Sequence, residues 1–216
     1  MNKYDIKNII NKTKDITIFE AGCARGEDTI EFLMAFSDTE NLNIFCMEPD
    51  SRNIPVFKST INDSRVHFFE GVVGDVDGEV EFNISTKSFI TGQELILSSS
   101  LRKPGKDIYK LWPSLFQNEN NFSPTIVKSV RFDTFVKENN IDHIDWIHLD
   151  IQGAEDLFIN GGLETLNTKV KYFYTEYNNE EVYQGNPNLD KIVSMLPNFS
   201  ILHDFKTDVL LVNNSI

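Results

Sequence analysis

His148 and Asp150 lie two apart in the run His148-Leu149-Asp150-Ile151-Gln152-Gly153-Ala154-Glu155, where an apolar stretch gives way to a glycine turn. Side chains two apart on a strand share a face. An imidazole with an ordinary pKa of roughly 6.5 and a carboxylate would then emerge together, a pair suited to taking a proton from a hydroxyl group. A histidine fixed within the core is the competing reading. One apolar run later comes Thr175-Glu176-Tyr177-Asn178. Asp150, Glu176 and Asn178 would make an all-oxygen set suited to Mg2+, which binds and acidifies a hydroxyl. Without a metal, Glu176 would hydrogen-bond a substrate or act as the base.

The strongest local pattern is Phe19-Glu20-Ala21-Gly22-Cys23-Ala24-Arg25-Gly26, of the form E-x-G-x-x-x-G. Small residues after a strand let a ligand approach the backbone at the next helix's first turn. The pattern lacks the G-x-G-x-x-G spacing that presses backbone against a pyrophosphate. A ligand without phosphate, such as S-adenosylmethionine, needs less of that cradle, and Glu20 would help hold its cationic amino end. Gly22 and Gly26 are the candidate loop glycines; a structural tight turn is the alternative. Glu48 would accept hydrogen bonds from both hydroxyls of an adenosine ribose, or cap a helix. At the end of the third strand, Val72-Val73-Gly74-Asp75 would form the wall and polar tip of an adenine pocket, with Gly74 in the wall and Asp75 accepting from the exocyclic amine, against a turn-capping role.

These residues need elements to place them. Apolar runs at 15–21, 42–47 and 66–69 alternate with helical patterns at 27–36 and 56–61, the signature of β-α-β crossovers and a parallel sheet. Asp77-Gly78 reads as a tight turn joining strands 71–76 and 79–84 into a hairpin. Periodicity fades over residues 85–124, expected to be a substrate-side insertion or lid, or an ordinary surface excursion. Order returns with strand 126–132, helix 133–139, strand 146–149, helix 154–166 and strand 170–174. A helix at 189–196 precedes runs 199–203 and 209–212, read as an antiparallel pair at a sheet edge. Ligands of such sheets gather outside the carboxyl ends of the strands, where Glu20, Glu48 and Asp150 fall.

With 216 residues the chain suits one domain, residues 1–216. No apolar run approaches the roughly 20 residues of a membrane span. The first 15 residues lack the features of a secretory signal, so the default compartment is the cytoplasm. Cys23 and Cys46, the two cysteines, have neither metal nor redox spacing. A net charge of -13 disfavours a nucleic-acid partner, and the sequence leaves a homo-oligomer open.

At this point the chain resembles the FkbM family of methyltransferases, from about residue 15 to 212. The resemblance is most specific where Val130-Arg131-Phe132-Asp133-Thr134-Phe135 leads into the segment 144–155. These look like the family's L-D-x-h and h-h-K-h-D-h-x-G-x-E blocks, h being hydrophobic. Phe45-Cys46-Met47-Glu48-Pro49-Asp50 is similar to its F-E-P segment, and Ser99-Ser100-Leu101 to its serine pair. The resemblance implies an α/β, Rossmann-like class I methyltransferase fold, with a mostly parallel seven-stranded sheet and a C-terminal antiparallel hairpin. It implies S-adenosylmethionine as donor and O-methylation of a sugar, glycan or other small polyhydroxylated substrate. Glu20, Gly22 and Gly26 match its cofactor loop, Glu48 its ribose acid, Asp150 the carboxylate beside the reaction centre. His148 stands where the family has lysine, and Phe132 where it has leucine. Glu155 is read as capping its helix and ordering the Gly153 turn. An NAD-dependent or nucleotide-sugar enzyme, and a catalytically silent cofactor-binding module, are the alternatives.

Overall fold

The structure is a computed structural model that describes residues 5–11, 14–88 and 90–216; positions 1–4 and 12–13 of the polar N-terminal stretch lie outside the described residues. In chain order the elements are α1 (Ile6–Ile10), β1 (Lys14–Ala21), α2 (Glu27–Ala35), β2 (Glu40–Glu48), α3 (Ile54–Thr60), β3 (Val66–Glu70), β4 (Val72–Gly74) and β5 (Gly78–Ser85). Then follow α4 (Ile108–Leu111), β6 (Phe122–Arg131), α5 (Phe132–Glu138), β7 (Ile144–Leu149), α6 (Glu155–Gly161), α7 (Leu163–Lys169), β8 (Val170–Glu176), α8 (Leu189–Met195), β9 (Phe199–Asp204) and β10 (Asp208–Asn213). Seven strands form one sheet in the order β3-β2-β1-β7-β8-β10-β9. Its first five strands run parallel, and β10 pairs antiparallel with both β8 and β9. This is the class I methyltransferase architecture, closed by its antiparallel hairpin. No helix of the described residues is long and apolar enough to cross a membrane.

The central strands are apolar on both faces because helices cover both, as parallel sheets require. Phe19, Ala21, Ile147, Leu149 and Phe173 pack on one side against Phe132, Phe135 and Phe158 of α5 and α6. Ile16, Ile18, Ile44, Trp146 and Tyr174 pack on the other against Ile6, Phe32 and Phe57 of α1, α2 and α3. Strand periodicity then carries Glu20, Cys46 and His148 to the second face, where they are neighbours in register across β2, β1 and β7.

Two expectations change. The expected hairpin around Asp77-Gly78 does not form, because β6 lies between the two strands in a second sheet of order β4-β6-β5. β6 offers β5 an antiparallel ladder of eight residue pairs, Gly78↔Ser129 to Ser85↔Phe122, which three-residue β4 cannot match. The single helix expected over 154–166 breaks at Gly161-Gly162 into α6 and α7. The closing strands β9 and β10 form the expected antiparallel pair at the sheet edge.

Candidate active site

At the carboxyl ends of β1, β2 and β7 lies a cavity of about 270 Å3, close to the lower end of small-molecule sites of roughly 300–1,000 Å3. Its loop begins at Gly22, whose φ of +81° is left-handed and whose Cβ, if present, would overlap the Asp150 carbonyl oxygen. Only glycine lets β1 turn away this close to β7. The amides of Gly22 and Cys23 donate to the Met47 carbonyl at 3.0 and 3.3 Å, pinning the loop to β2.

Glu48 ends β2 and lines the cavity. One carboxylate oxygen accepts from the Ala24 amide at 3.0 Å and the other from the Asp50 amide at 2.8 Å. Burial pushes its pKa up to about 7, against those hydrogen bonds. The Asn53 side-chain amide also donates to the second of these oxygens at 3.5 Å, so the oxygen facing Ala24 is the one that keeps a lone pair for a ligand hydroxyl. Met47, Val72, Val73, Phe82 and Leu101 supply apolar wall. The charged residues lining the cavity are Glu27, Asp28, Glu48 and Asp150, all acidic. Such a lining attracts a cation and repels a pyrophosphate, which separates a sulfonium cofactor from a dinucleotide.

Asp150 follows β7 and lines the cavity. Burial, with Asp28 and Asp208 adding negative charge, pushes its carboxyl above the ordinary range; the Gln152 hydrogen bond and the His148 imidazole act the other way. Gln152, at φ +55°, is the hub of the site. Its amide nitrogen donates to Asp150 at 2.6 Å and to Glu176 at 3.3 Å, and its amide oxygen accepts from the Tyr183 hydroxyl at 3.1 Å. Its backbone carbonyl accepts from Ser100 Oγ at 2.7 Å. Reading the sequence missed Gln152, Asp28 and Tyr183. The signal for Gln152 was its place two residues past Asp150, on a turn that folds it back over the strand ends.

Several expected residues sit elsewhere. Glu20 is buried beneath α2, accepting from Thr29 Oγ1 at 2.6 Å and from the Cys46 thiol, because strand alternation turns it away from the cavity. Gly26, at φ +95°, opens α2, and a Cβ there would meet the Ile61 side chain at 2.9 Å; its bareness lets α3 pack. Gly74 and Asp75 do not line the cavity either. β3 stops at Glu70 and the chain leaves for the second sheet, so Gly71, Val72 and Val73 take the wall position. His148 does share a face with Asp150, but it lies inside, 3.9 Å from Asp28 and edge-on to Phe32. Glu176 reaches the Gln152 amide without lining the cavity. The Asn178 carbonyl accepts from Asn186 at 3.2 Å.

The Gln152 amide thus occupies the gap between Asp150 and Glu176 that the expected Mg2+ would fill. Among the described residues, the His, Cys, Asp and Glu side chains grouped closely enough to share an ion are Glu20, Asp28 and His148, with donor atoms within 4.8 Å of one another. Glu155 is buried, and its Oε1 accepts from the Gly153 amide at 3.1 Å, which orders that turn.

The segment between β5 and β6 roofs the cavity through Ile96, Leu97, Ser99 and Leu101, and it is fastened at both sides. Asp50, held below the usual carboxylate range by the Arg52 guanidinium although burial opposes it, accepts from Ser99 Oγ at 3.1 Å. Asn53 donates to the Ile96 carbonyl at 3.0 Å, and Arg102 forks onto Asp156 at 2.7 and 2.8 Å.

Residues 48–202 match the methyltransferase FkbM domain. The chain is 33% identical over 207 residues to the 2-O-methyltransferase NoeI of Sinorhizobium fredii, an alignment covering 94% of this chain and 81% of NoeI. The chain belongs to the FkbM methyltransferase family. It is an S-adenosylmethionine-dependent methyltransferase. The crystal structure of methyltransferase FkbM from Methylobacillus flagellatus has the same fold, with a TM-score of 0.55 and 13% sequence identity, over 93% of this chain and 44% of that one. In this FkbM methyltransferase the fit to the cofactor rests on the all-acidic lining and on the Glu48 oxygen that accepts only from Ala24.

Burial raises the pKa of Glu20 to about 8, which makes a pH prediction. A carboxyl whose folded pKa exceeds its unfolded value contributes stability that is complete below the unfolded pKa and is lost as pH rises through the folded one. Glu155, pushed to about 8, and Glu48, to about 7, add in the same direction. Stability should therefore fall between about pH 5 and pH 8. Glu20→Gln keeps the shape and the neutral state, so at pH 8 it should be more stable than wild type by on the order of 4 kcal/mol. The gain should vanish at pH 5 in urea unfolding. A variant less stable than wild type at pH 8 would show that Glu20 is ionised and paired in the fold.

Proposed function

We propose that this enzyme methylates a hydroxyl oxygen of a sugar, glycan or other small polyhydroxylated acceptor, that the chain acts as one catalytic domain, and that its 85–124 region is the substrate-side cover. The observation that carries the reading is the Asp150 carboxylate, which faces the cavity with a raised affinity for protons and a position fixed by Gln152. A hydroxyl is a poor nucleophile until its proton has somewhere to go, and an anchored carboxylate near its working pKa receives it. The likeness to NoeI, a 2-O-methyltransferase, supports oxygen as the acceptor atom.

When bound, S-adenosylmethionine supplies an electrophilic methyl group on a sulfonium. Glu48 would hold its ribose, with Val72, Val73 and Phe82 against the adenine and Asp28 and Asp150 toward the cationic end. Asp150 would orient the acceptor hydroxyl and take its proton. His148 would act through Asp28 and Asp150, since it does not reach the cavity. Roofing by 96–101 would exclude water and hold the acceptor in line, where positioning supplies much of the rate.

Two measurements test this. Glu48→Gln should weaken S-adenosylmethionine and S-adenosylhomocysteine alike by about 10–100-fold in calorimetry, as expected for losing a charged acceptor; unchanged affinity would remove Glu48 from the ribose. Radiolabelled methyl transfer to a panel of neutral sugars and to matched amines tests the acceptor, and labelling of the amines alone would overturn O-methylation. A magnesium-assisted version through Asp150, Glu176 and Asn178 requires the Gln152 amide to swing aside, and turnover unchanged by chelator would dispose of it.

A further inference from the structure

A second cavity, of about 450 Å3, opens on the other face of β5. Phe82 points into the methyl-transfer cavity, whereas its neighbours Glu81 and Asn83 line the second, as alternation along a strand requires. The Asn83 side chain is 4% exposed. Its backbone amide and carbonyl are both used by Ser100, at 2.8 and 3.0 Å, but its side-chain amide has no hydrogen-bond partner among the described residues. That amide is not sealed from the cavity, so it stays available to a ligand that enters.

The rest of the lining says what that is. Tyr109 of α4 and Phe122 at the start of β6 present ring surface. The charged residues are two acids, Glu81 and Glu119, and two bases, Lys103 and Lys106. Lys103 lies 3.7 Å from Glu81, and Lys106 lies 3.1 Å from Glu181, so the cations are answered and the cavity favours neither anion nor cation. Aromatic faces, a buried amide and balanced rim charges match a neutral ring bearing hydroxyls, whose C–H face lies on an aromatic ring while its hydroxyls bond to amides and carboxylates.

We propose that this cavity binds a neutral sugar unit of a glycan acceptor, away from the unit that is methylated. The inference extends the glycan reading given above. Leu101 lines the first cavity and Lys103, two residues on, the second, so the two linings share one segment of the roof.

The test is amide spectroscopy of the isotope-labelled protein, loaded with S-adenosylhomocysteine, during titration with maltotetraose, cellotetraose, xylotetraose and laminaritetraose at millimolar concentration. At least one should shift the Asn83 side-chain signals and those of Tyr109 saturably. Tyr109→Ala should weaken that sugar about fivefold, the worth of one ring contact, as should Asn83→Ala, with cofactor affinity unchanged. Shifts confined to 96–101 and 150–152, or none, overturn the site. Methyl transfer to a tetrasaccharide without shifts at Asn83 overturns it while leaving the acceptor reading intact. Shifts at Asn83 without transfer to any sugar uphold the site and count against that acceptor.

Discussion

Asp150→Asn is expected to lower kcat by about 10²–10⁴-fold, the range for removing a positioned base, with a smaller loss of S-adenosylmethionine affinity, up to about tenfold, for one acid fewer near its cationic end. The substitution keeps an acceptor oxygen for the Gln152 amide, which holds Asp150 at 2.6 Å, so the local geometry survives and the loss reads on chemistry. The pH profile gives the sign. Because burial raises the Asp150 pKa, kcat/KM of the wild type should fall on the acid side through a midpoint above the ordinary carboxylate range, as the base becomes protonated. The asparagine variant should lose that limb. Near-normal turnover in the variant would move proton removal to Asp28 and His148, which stand 3.9 Å apart behind it.

Gly22→Ala should be the most damaging small substitution in the cofactor loop. Its φ of +81° alone costs a side chain about 1–2 kcal/mol, and the added methyl overlaps the Asp150 carbonyl oxygen. Relief requires β1 and β7 to part where the Asp150 amide donates to the Ala21 carbonyl at 3.0 Å. A loss of roughly 3 kcal/mol or more follows, a drop of about 6–12 °C in Tm for a chain of this size. Cofactor affinity should fall at least about tenfold, since the loop and Asp150 move together. A variant with wild-type Tm and affinity would mean that the loop does not meet β7 as described.

Much of this was legible in the residues. Alternating apolar runs and helical patterns gave the parallel sheet, and Glu48 and Asp150 could be placed at strand ends because a strand's last residue must leave the sheet there. The misplacements have separate causes. Glu20 stands one residue before the strand end, and the alternation that buries Ile16 and Ile18 buries it too. Gly74 and Asp75 were assigned to the tip of the third strand, but the chain turns at Gly71, and the pairing of β4 with β6, remote in sequence, is invisible to local periodicity. Gln152 escaped because its role depends on a left-handed turn that brings Asp150, Glu176 and Tyr183 to one amide, a convergence of three segments that no spacing encodes.

β1 lies inside the sheet, and its partners are β2, next along the chain, and β7, the middle strand, which arrives more than a hundred residues later; the Thr17 amide even donates to the Asp145 carboxylate across a separation of 128 residues. Pairings of such high contact order close slowly and late, because the entropy of a long loop is lost before the contact rewards it. The proposed cofactor cradle spans this seam, with Gly22 and Glu48 on the early side and Asp150 and Gln152 on the late side. A nascent chain can therefore form the first three strands and their helices without any capacity to bind the donor, and competence arrives in the same event that completes the sheet. Donor in the surroundings would then act on the final step of folding, holding the closed seam by mass action.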